Sequence, residues 1–239
     1  MNEPPSSGRR VAYFGGSFDP PHLGHLAVAR AAREALGLDA VLFAPVGAQP
    51  LKPQGSTASF ADRVAMTRLA IASEAGFELS LADAPTRTGA PNFTLETLER
   101  LRAGLTQECS LFFLMGADSF LGLPRWHRAT EIPFVAPLIV ASRPGQPLDG
   151  VRAALPAGLT MELAAAPCRT KSGVEVHCYT LVNRRGDRAP FYLLPELDVE
   201  ISASDIREQV RLAPDDTTLE RKLLPQAVAA YVVRKGLYR

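Results

Sequence analysis

The stretch GGSFDPPHLGH, Gly15–His25, decides how this chain is read. It follows the apolar run Val11–Phe14 and precedes the Ala/Leu-rich segment Leu26–Leu36, which puts it at a strand-to-helix crossing. Two glycines, a Phe-Asp-Pro-Pro turn and two histidines three apart share that crossing. A dinucleotide fingerprint is excluded, because the GxGxxG spacing is missing and prolines fill the turn. Zinc is poorly served too: His22 and His25 are three apart rather than four, with no HExxH glutamate and no cysteine cluster. Two readings remain. In one, a Pro-Pro turn starts a helix and both histidines are merely exposed. In the other, a helix beginning near Leu23 places both rings at its positive end, where N–H groups without helical partners favour an anion, and the imidazoles complete a phosphate cradle.

Outward from this motif the chain alternates strand-like and helix-like segments. Val11–Phe14 reads as a strand, Leu23–Leu36 as a helix closed by Gly37, and Ala40–Val46 as a second strand. The loop GAQPLKPQGSTAS follows, then a helix from Phe60 to about Ala75, with Ser59 and Asp62 at capping spacing and Gly76 as terminator. Phe77–Ala82 reads as extended and Asn92–Arg102 as helical, with Leu95, Leu98 and Leu101 on one face. Leu111–Met115 is a continuous apolar run, as a buried parallel strand requires, and a helical stretch containing Trp126 precedes the strand Pro137–Ala141. This order predicts an α/β fold: a Rossmann-like, doubly wound, mostly parallel sheet with helices on both faces. Such sheets bind ligands beyond the carboxyl ends of their strands. Those ends carry GGSFDPPHLGH, the Lys52 loop, MGADS and ASRPG.

Past Gly150 the pattern changes. Thr160–Ala165 reads as a strand, and Val174–Val182 with Phe191–Leu194, split by NRRGD, as an additional β-hairpin. The end is helical, near Pro225–Lys235, with Gly236 just beyond. Residues 1–9 read as a loose tail and 10–239 as one domain, with a hairpin insertion at about 166–197.

The segment ISASDIR, Ile201–Arg207, also opens a helix after a β-like Val199–Ile201. Ser202 and Asp205 have capping-box spacing, which accounts for them without a ligand. Ser204 and Arg207 are three apart, however, and share a face at that helix start. A hydroxyl, a guanidinium and backbone N–H groups there form a second anion site.

Bulk properties narrow the options. The 239 residues carry 26 Lys/Arg against 25 Asp/Glu, so no broad basic face for nucleic acid or membrane is expected. Any anionic ligand must be met by local positive groups. Cys109, Cys168 and Cys178 form no CxxC pair, and with no apolar leader or spanning segment they point to a cytoplasmic protein.

GGSFDPPHLGH resembles the (G)G-[ST]-F-D-P-x-H-x-G-H motif of the nucleotidyltransferases related to class I aminoacyl-tRNA synthetases, and ISASDIR resembles their C-terminal IS-x-[ST]-x-[IV]-R motif. Within that superfamily the stretches PLKPQ, APNFTLETL, FFLMGADSF, LPRWHRATEI, ASRPGQP and the ending GLYR are similar to the bacterial nicotinate-mononucleotide adenylyltransferases. The resemblance implies that ATP and nicotinate mononucleotide give deamido-NAD and pyrophosphate, with Mg²⁺ carried on ATP rather than by a protein metal site. It implies that His22 and His25 contact the ATP phosphates and that Ser204 and Arg207 hold the β/γ-phosphates. Catalysis would then rest on His22, His25 and Arg207. Gly15, Gly16, Ser17 and Phe18 would let the loop approach the reacting phosphates, and Gly116 and Asp118 would border the adenosine. For the mononucleotide it implies Ser17, Lys52, Thr94, Trp126 and Arg143, with Thr94 and Trp126 carrying substrate choice and the acid preferred over the amide.

Each assignment has a plain structural rival. Lys52 can be a solvated loop lysine, Asp118 a helix cap, Thr94 or Asn92 a simple N-cap, and Trp126 a core residue. Three departures from the family pattern stand out. Leu51 occupies the place of the usual histidine in the PPHK-like loop, Ser204 that of a threonine, and residues 166–197 are longer than the common pattern. That segment is open to a role in self-association or as a lid. The alternatives on function are another nucleotidyltransferase of the superfamily, acting on phosphopantetheine or as a cytidylyltransferase, and a non-catalytic nucleotide sensor.

Overall fold

A computed structural model of the chain describes residues 8–52, 54–142, 148–170, 173–195, 197, 201–212 and 223–239. One eight-stranded sheet organises it, in the order β3-β2-β1-β4-β5-β8-β7-β6. The strands are β1 Arg10–Gly16, β2 Ala40–Pro45, β3 Phe77–Leu79, β4 Ser110–Gly116, β5 Leu138–Ala141, β6 Leu159–Arg169, β7 Glu175–Asn183 and β8 Arg188–Leu194. Pairings β1–β4, β4–β5 and β5–β8 are parallel, in register Val11↔Leu111, Leu114↔Ile139 and Ile139↔Tyr192. Leu111–Met115 and Leu138–Ala141 are buried at every position. Side chains alternate between the two faces of a strand, so full burial means that both faces are covered.

The helices are α1 Leu23–Leu36, α2 Phe60–Ile71, α3 Thr94–Gly104, α4 Ala117–Leu121, α5 Ile132–Val135, α6 Leu148–Ala153, α7 Ala203–Leu212 and α8 Gln226–Lys235. The α/β expectation therefore holds, with local corrections. Helix α2 stops at Ile71, short of the expected Ala75, and Gly76 (φ +79) serves the turn into β3 instead. The extended stretch after it contracts to Phe77–Leu79. Trp126 is not inside a helix; it follows a 3-10 turn, Leu123–Arg125, with extended backbone. The β-like segment before ISASDIR is not seen at Ile201, and Val199 lies outside the described residues, as do residues 1–7 of the expected tail.

The expected hairpin forms. Its turn is tied by Asn183, whose Oδ1 accepts the N–H groups of Arg185 and Asp187 at 2.9 and 3.0 Å, with Gly186 at φ +85. Its second strand is not an appendage, however. β8 pairs in parallel with β5 on one side and antiparallel with β7 on the other, so only β6 and β7 extend the sheet. The register breaks twice along β6, between Leu163 and Ala165 and again before Cys168.

The chain divides into two compact units: Met1–Phe14, Ala29–Val41 and Phe93–Asp198 form one, and Gly15–Val28, Leu42–Asn92 and Val199–Arg239 the other. Among the described residues no helix is long and apolar enough to cross a membrane.

Helix α2 is capped as its sequence spacing suggests. Ser59 Oγ accepts the Asp62 N–H at 3.1 Å and donates to Asp62 Oδ2 at 2.6 Å. That bond, then one from the Tyr231 hydroxyl, holds the Asp62 carboxyl below its ordinary range. A depressed carboxyl stabilises the fold above its unfolded pKa, and this contribution is lost as pH falls through the folded value. Ser59→Ala should cost about 1 kcal/mol at neutral pH. The gap from the native protein should narrow below about pH 4 as Asp62 protonates. Urea unfolding at both pH values reads the difference.

Candidate functional site

Ser17 to His25 form a turn whose conformation is imposed from outside. Phe18 has φ +48, a left-handed value that costs a non-glycine residue on the order of 1 kcal/mol or more. Its buried ring packs against Phe43 at 5.6 Å and His25 at 4.9 Å. Arg63 of α2 is 2% exposed, and its guanidinium donates to the carbonyls of Ser17 (2.7 Å) and Val46 (2.8 Å), clamping the ends of β1 and β2. Burial lowers the Arg63 pKa, while the nearby Asp19 opposes the shift.

Asp19 is the hub of the turn. Its carboxylate accepts the N–H groups of Thr57 (2.6 Å) and Ala58 (3.1 Å) and the hydroxyl of Tyr238 (2.8 Å). Its main-chain carbonyl accepts from Arg207 Nη1 at 2.7 Å. The peptide between Asp19 and Pro20 is cis.

The two histidines stack, ring centroids 3.7 Å apart. His22 precedes helix α1, and its carbonyl accepts the His25 N–H at 3.0 Å. In return His25 Nδ1 accepts the His22 N–H at 3.2 Å, the reciprocal pattern of a capping box with imidazole in place of a carboxylate. An accepting Nδ1 leaves the ring hydrogen on Nε2, so a neutral His25 is a hydrogen-bond donor at Nε2. Burial, reinforced by the His22 ring, holds the His25 pKa well below the usual histidine value. In the free protein the ring at position 25 is thus held toward its neutral form.

Ser204 and Arg207 lie in the first turns of α7, and Arg207 Nη2 donates to Ser204 Oγ at 3.1 Å. Ser202 supplies the cap, its Oγ accepting the Ser204 N–H at 3.2 Å. The two halves of ISASDIR thus divide their roles, and the capping account of Ser202 does not extend to Ser204. Lys52 is exposed, yet its Nζ donates to Ser17 Oγ at 3.2 Å, beside Gln49 Nε2 at 2.9 Å. Lys52 is thus solvent-exposed and also tethered to Ser17. Leu51 is exposed. Within this unit the structure brings Ser17, Lys52, His22, His25, Ser204 and Arg207 around one turn, with Gly15 and Gly16 ending β1.

The other unit carries Thr94, Gly116, Asp118 and Trp126. Helix α3 begins at Thr94, with Phe93 as its N-cap and no side chain capping it. Asn92 is not a cap; it is buried, accepts from the Ala48 N–H and donates to the Ala84 carbonyl. Simple N-capping thus explains neither Thr94 nor Asn92. The Phe93 and His127 rings pack at 4.7 Å. Trp126 is half-buried and 6.1 Å from Phe113, so it is not a sealed core residue. Gly116 caps α4 at φ −76, and a Cβ built there would meet nothing within 4 Å. Neither backbone nor packing requires glycine at that point. Asp118 is exposed in the first turn of α4, whose N-cap is Gly116, so it is not the capping residue. Arg143 lies outside the described residues.

No group of three or more His, Cys, Asp or Glu able to hold a metal occurs among the described residues. In the turn itself the Asp19 carboxylate is already committed to three donors. Sequence spacing alone missed Arg63 and Tyr238. Arg63 had a legible signal, since it falls on the buried stripe Arg63, Met66, Thr67 and Ala70 of α2, where a lone cation needs an explanation. Tyr238 had none beyond its place in the ending GLYR.

Because His25 is neutral in the free protein, its charge is not titrated away as pH rises. Between roughly pH 6.5 and 8, kcat/KM for ATP should show no alkaline loss from this residue. A tenfold fall per pH unit across that span that disappears in His25→Asn would assign the loss to a protonated His25 and contradict the geometry.

A cytidylyltransferase-like family model matches residues 13–209. A protein of Gloeobacter violaceus named "probable nicotinate-nucleotide adenylyltransferase" is 38% identical, covering 97% of this chain and 97% of its own length. One with the same name from Stenotrophomonas maltophilia is 39% identical over 95% of this chain and 96% of its own. Among solved structures, Plasmodium falciparum nicotinic acid mononucleotide adenylyltransferase complexed with NaAD superposes with a TM-score of 0.69 at 14% identity. It covers 96% of this chain and 97% of the other, a likeness of fold.

Proposed function

The chain belongs to the nicotinate-nucleotide adenylyltransferases of the cytidylyltransferase-like family, and on that footing we propose that it joins the adenylyl group of ATP to nicotinate mononucleotide, releasing deamido-NAD and pyrophosphate. The observation that supports this reading most directly is the grouping of Ser17, His22, His25, Ser204 and Arg207 around one constrained turn. An oxygen of the mononucleotide 5′-phosphate forms a bond to the α-phosphorus of ATP, and the bond from that phosphorus to the α–β bridging oxygen breaks. The nucleophile is already an anion, so no general base is called for. What remains is alignment and the stabilisation of charge on departing pyrophosphate.

In this reading neutral His25 donates from Nε2 to a phosphate oxygen, and the N-terminal end of α1 adds its partial positive charge. His22 lies beside it. Arg207 and Ser204 meet the β/γ-phosphates, and Gly15, Gly16 and Phe18 shape the backbone approach. Ser17 and Lys52 face the phosphate of the second nucleotide, and the family resemblance adds Arg143 to that role. Gly116 leaves room for adenosine, with Asp118 accepting from its ribose. Trp126 offers a face to the pyridine ring, and the start of α3 at Thr94 meets the nicotinate carboxylate. Mg²⁺ comes as part of the MgATP substrate, supplying charge neutralisation on the phosphates. We assign the protein to the cytoplasm.

The test is pyrophosphate release from ATP and nicotinate mononucleotide. His25→Ala should lower turnover by about three orders of magnitude, with circular dichroism unchanged. ATP binding by the native protein without pyrophosphate release would identify a sensor instead. Donors at the start of α3 should favour the acid mononucleotide over the amide by at least about tenfold in kcat/KM, and equal values would refute the assignment of Thr94.

A further inference from the structure

Tyr238 stands 219 residues from Asp19, yet the two are hydrogen-bonded in a buried setting. The bond is one of three to a carboxylate within the turn that carries the histidines. The same residue's carbonyl, a few atoms away, holds Arg207. The Tyr238 hydroxyl donates to the Asp19 carboxylate, and the Asp19 carbonyl in turn accepts from Arg207. Burial, then the Asp19 charge, push the phenol pKa upward, so the hydroxyl remains a donor throughout the range in which such an enzyme is assayed.

Its delivery is also built. Gly236 closes α8 in a left-handed conformation (φ +59), with its N–H donating to Val232 and Val233, and Tyr238 itself sits at φ +67. This double reversal turns the ring back beneath the turn. Helix α8 is in turn fastened to α2 by the Tyr231 hydroxyl on Asp62 at 2.9 Å. A left-handed tyrosine is an unfavourable conformation, sustained where the surroundings over-determine it.

We propose that Tyr238 is a positioning residue for catalysis: through the Asp19 carboxylate it fixes the Phe18–Pro20 turn, and through the Asp19 carbonyl it sets the Arg207 guanidinium where the ATP phosphates bind. The proposal rests on the phosphate-binding reading of Arg207. It predicts a kinetic coupling that a purely structural tyrosine would not produce.

The experiment is a double-mutant cycle on the full chain, combining Tyr238→Phe and Arg207→Ala, with kcat and both KM values measured well below the melting midpoint. Tyr238→Phe should lower kcat/KM for ATP about tenfold while leaving KM for the mononucleotide unchanged. In the Arg207→Ala background the same change should cost less than about twofold, since the group it acts through is gone. Tyr231→Phe is the control: it removes another tyrosine–carboxylate bond of the same unit, so it should lower the melting midpoint without altering ATP kinetics. Should Tyr238→Phe not fold, Asp19→Asn in the same cycle carries the test. A Tyr238→Phe loss that persists in full without Arg207, or no loss at all, overturns the positioning role. The phosphate role of Arg207 is reported separately by Arg207→Ala alone, and native ATP kinetics in that variant would overturn both.

Discussion

The arrangement depends on the Asp19 carboxylate. Placing a charge in a buried turn is costly unless donors surround it. Here two backbone N–H groups from the loop before α2 and one phenol complete its shell, with the Arg63 cation close by. The resulting cluster ties four remote pieces of chain to one turn: the Thr57–Ala58 loop, α2, α7 and the segment after α8. The strained backbone of Phe18 persists because these ties leave the turn no cheaper conformation.

Charge at this turn is distributed in an instructive way. His22 and His25 are stacked, and two imidazolium rings 3.7 Å apart would repel. The fold keeps His25 neutral and gives its Nδ1 an N–H to accept, which aims the remaining ring hydrogen through Nε2. Positive charge is brought to the turn instead by Arg207 and Lys52. A site of this kind binds polyanions with little dependence on histidine titration.

A similar economy governs the loops. Asn92 could be taken for a cap of α3, but its amide instead joins Ala48 to Ala84, fixing the start of the loop that carries Gln49 and Lys52. Those two side chains converge on Ser17. Helix α3 is thereby left with an N-terminus that no side chain closes, as are the starts of α4 and its following 3-10 turn. Termini left in this state are the places where a fold can meet an anionic or polar ligand.

Much of this was legible in the residues themselves. Alternation of apolar runs and helical stripes determined the α/β class, because strand and helix periodicities are local properties of the chain. The two helix starts with their histidines, serine and arginine were visible for the same reason: residues three apart share a face whatever the fold. What spacing could not determine was contact between distant segments. The bond from Tyr238 to Asp19, the clamp of Arg63 on two strand ends and the docking of Arg207 on the Asp19 carbonyl each join segments whose separation carries no periodic signal. The end of α2 and the place of β8 within the parallel set were likewise decided by packing, which overrides local preference where sheet neighbours and turns compete for the same residues. Burial completed the list, since the protonation state of His25 depends on its desolvated surroundings, a property that exists only once the chain has folded.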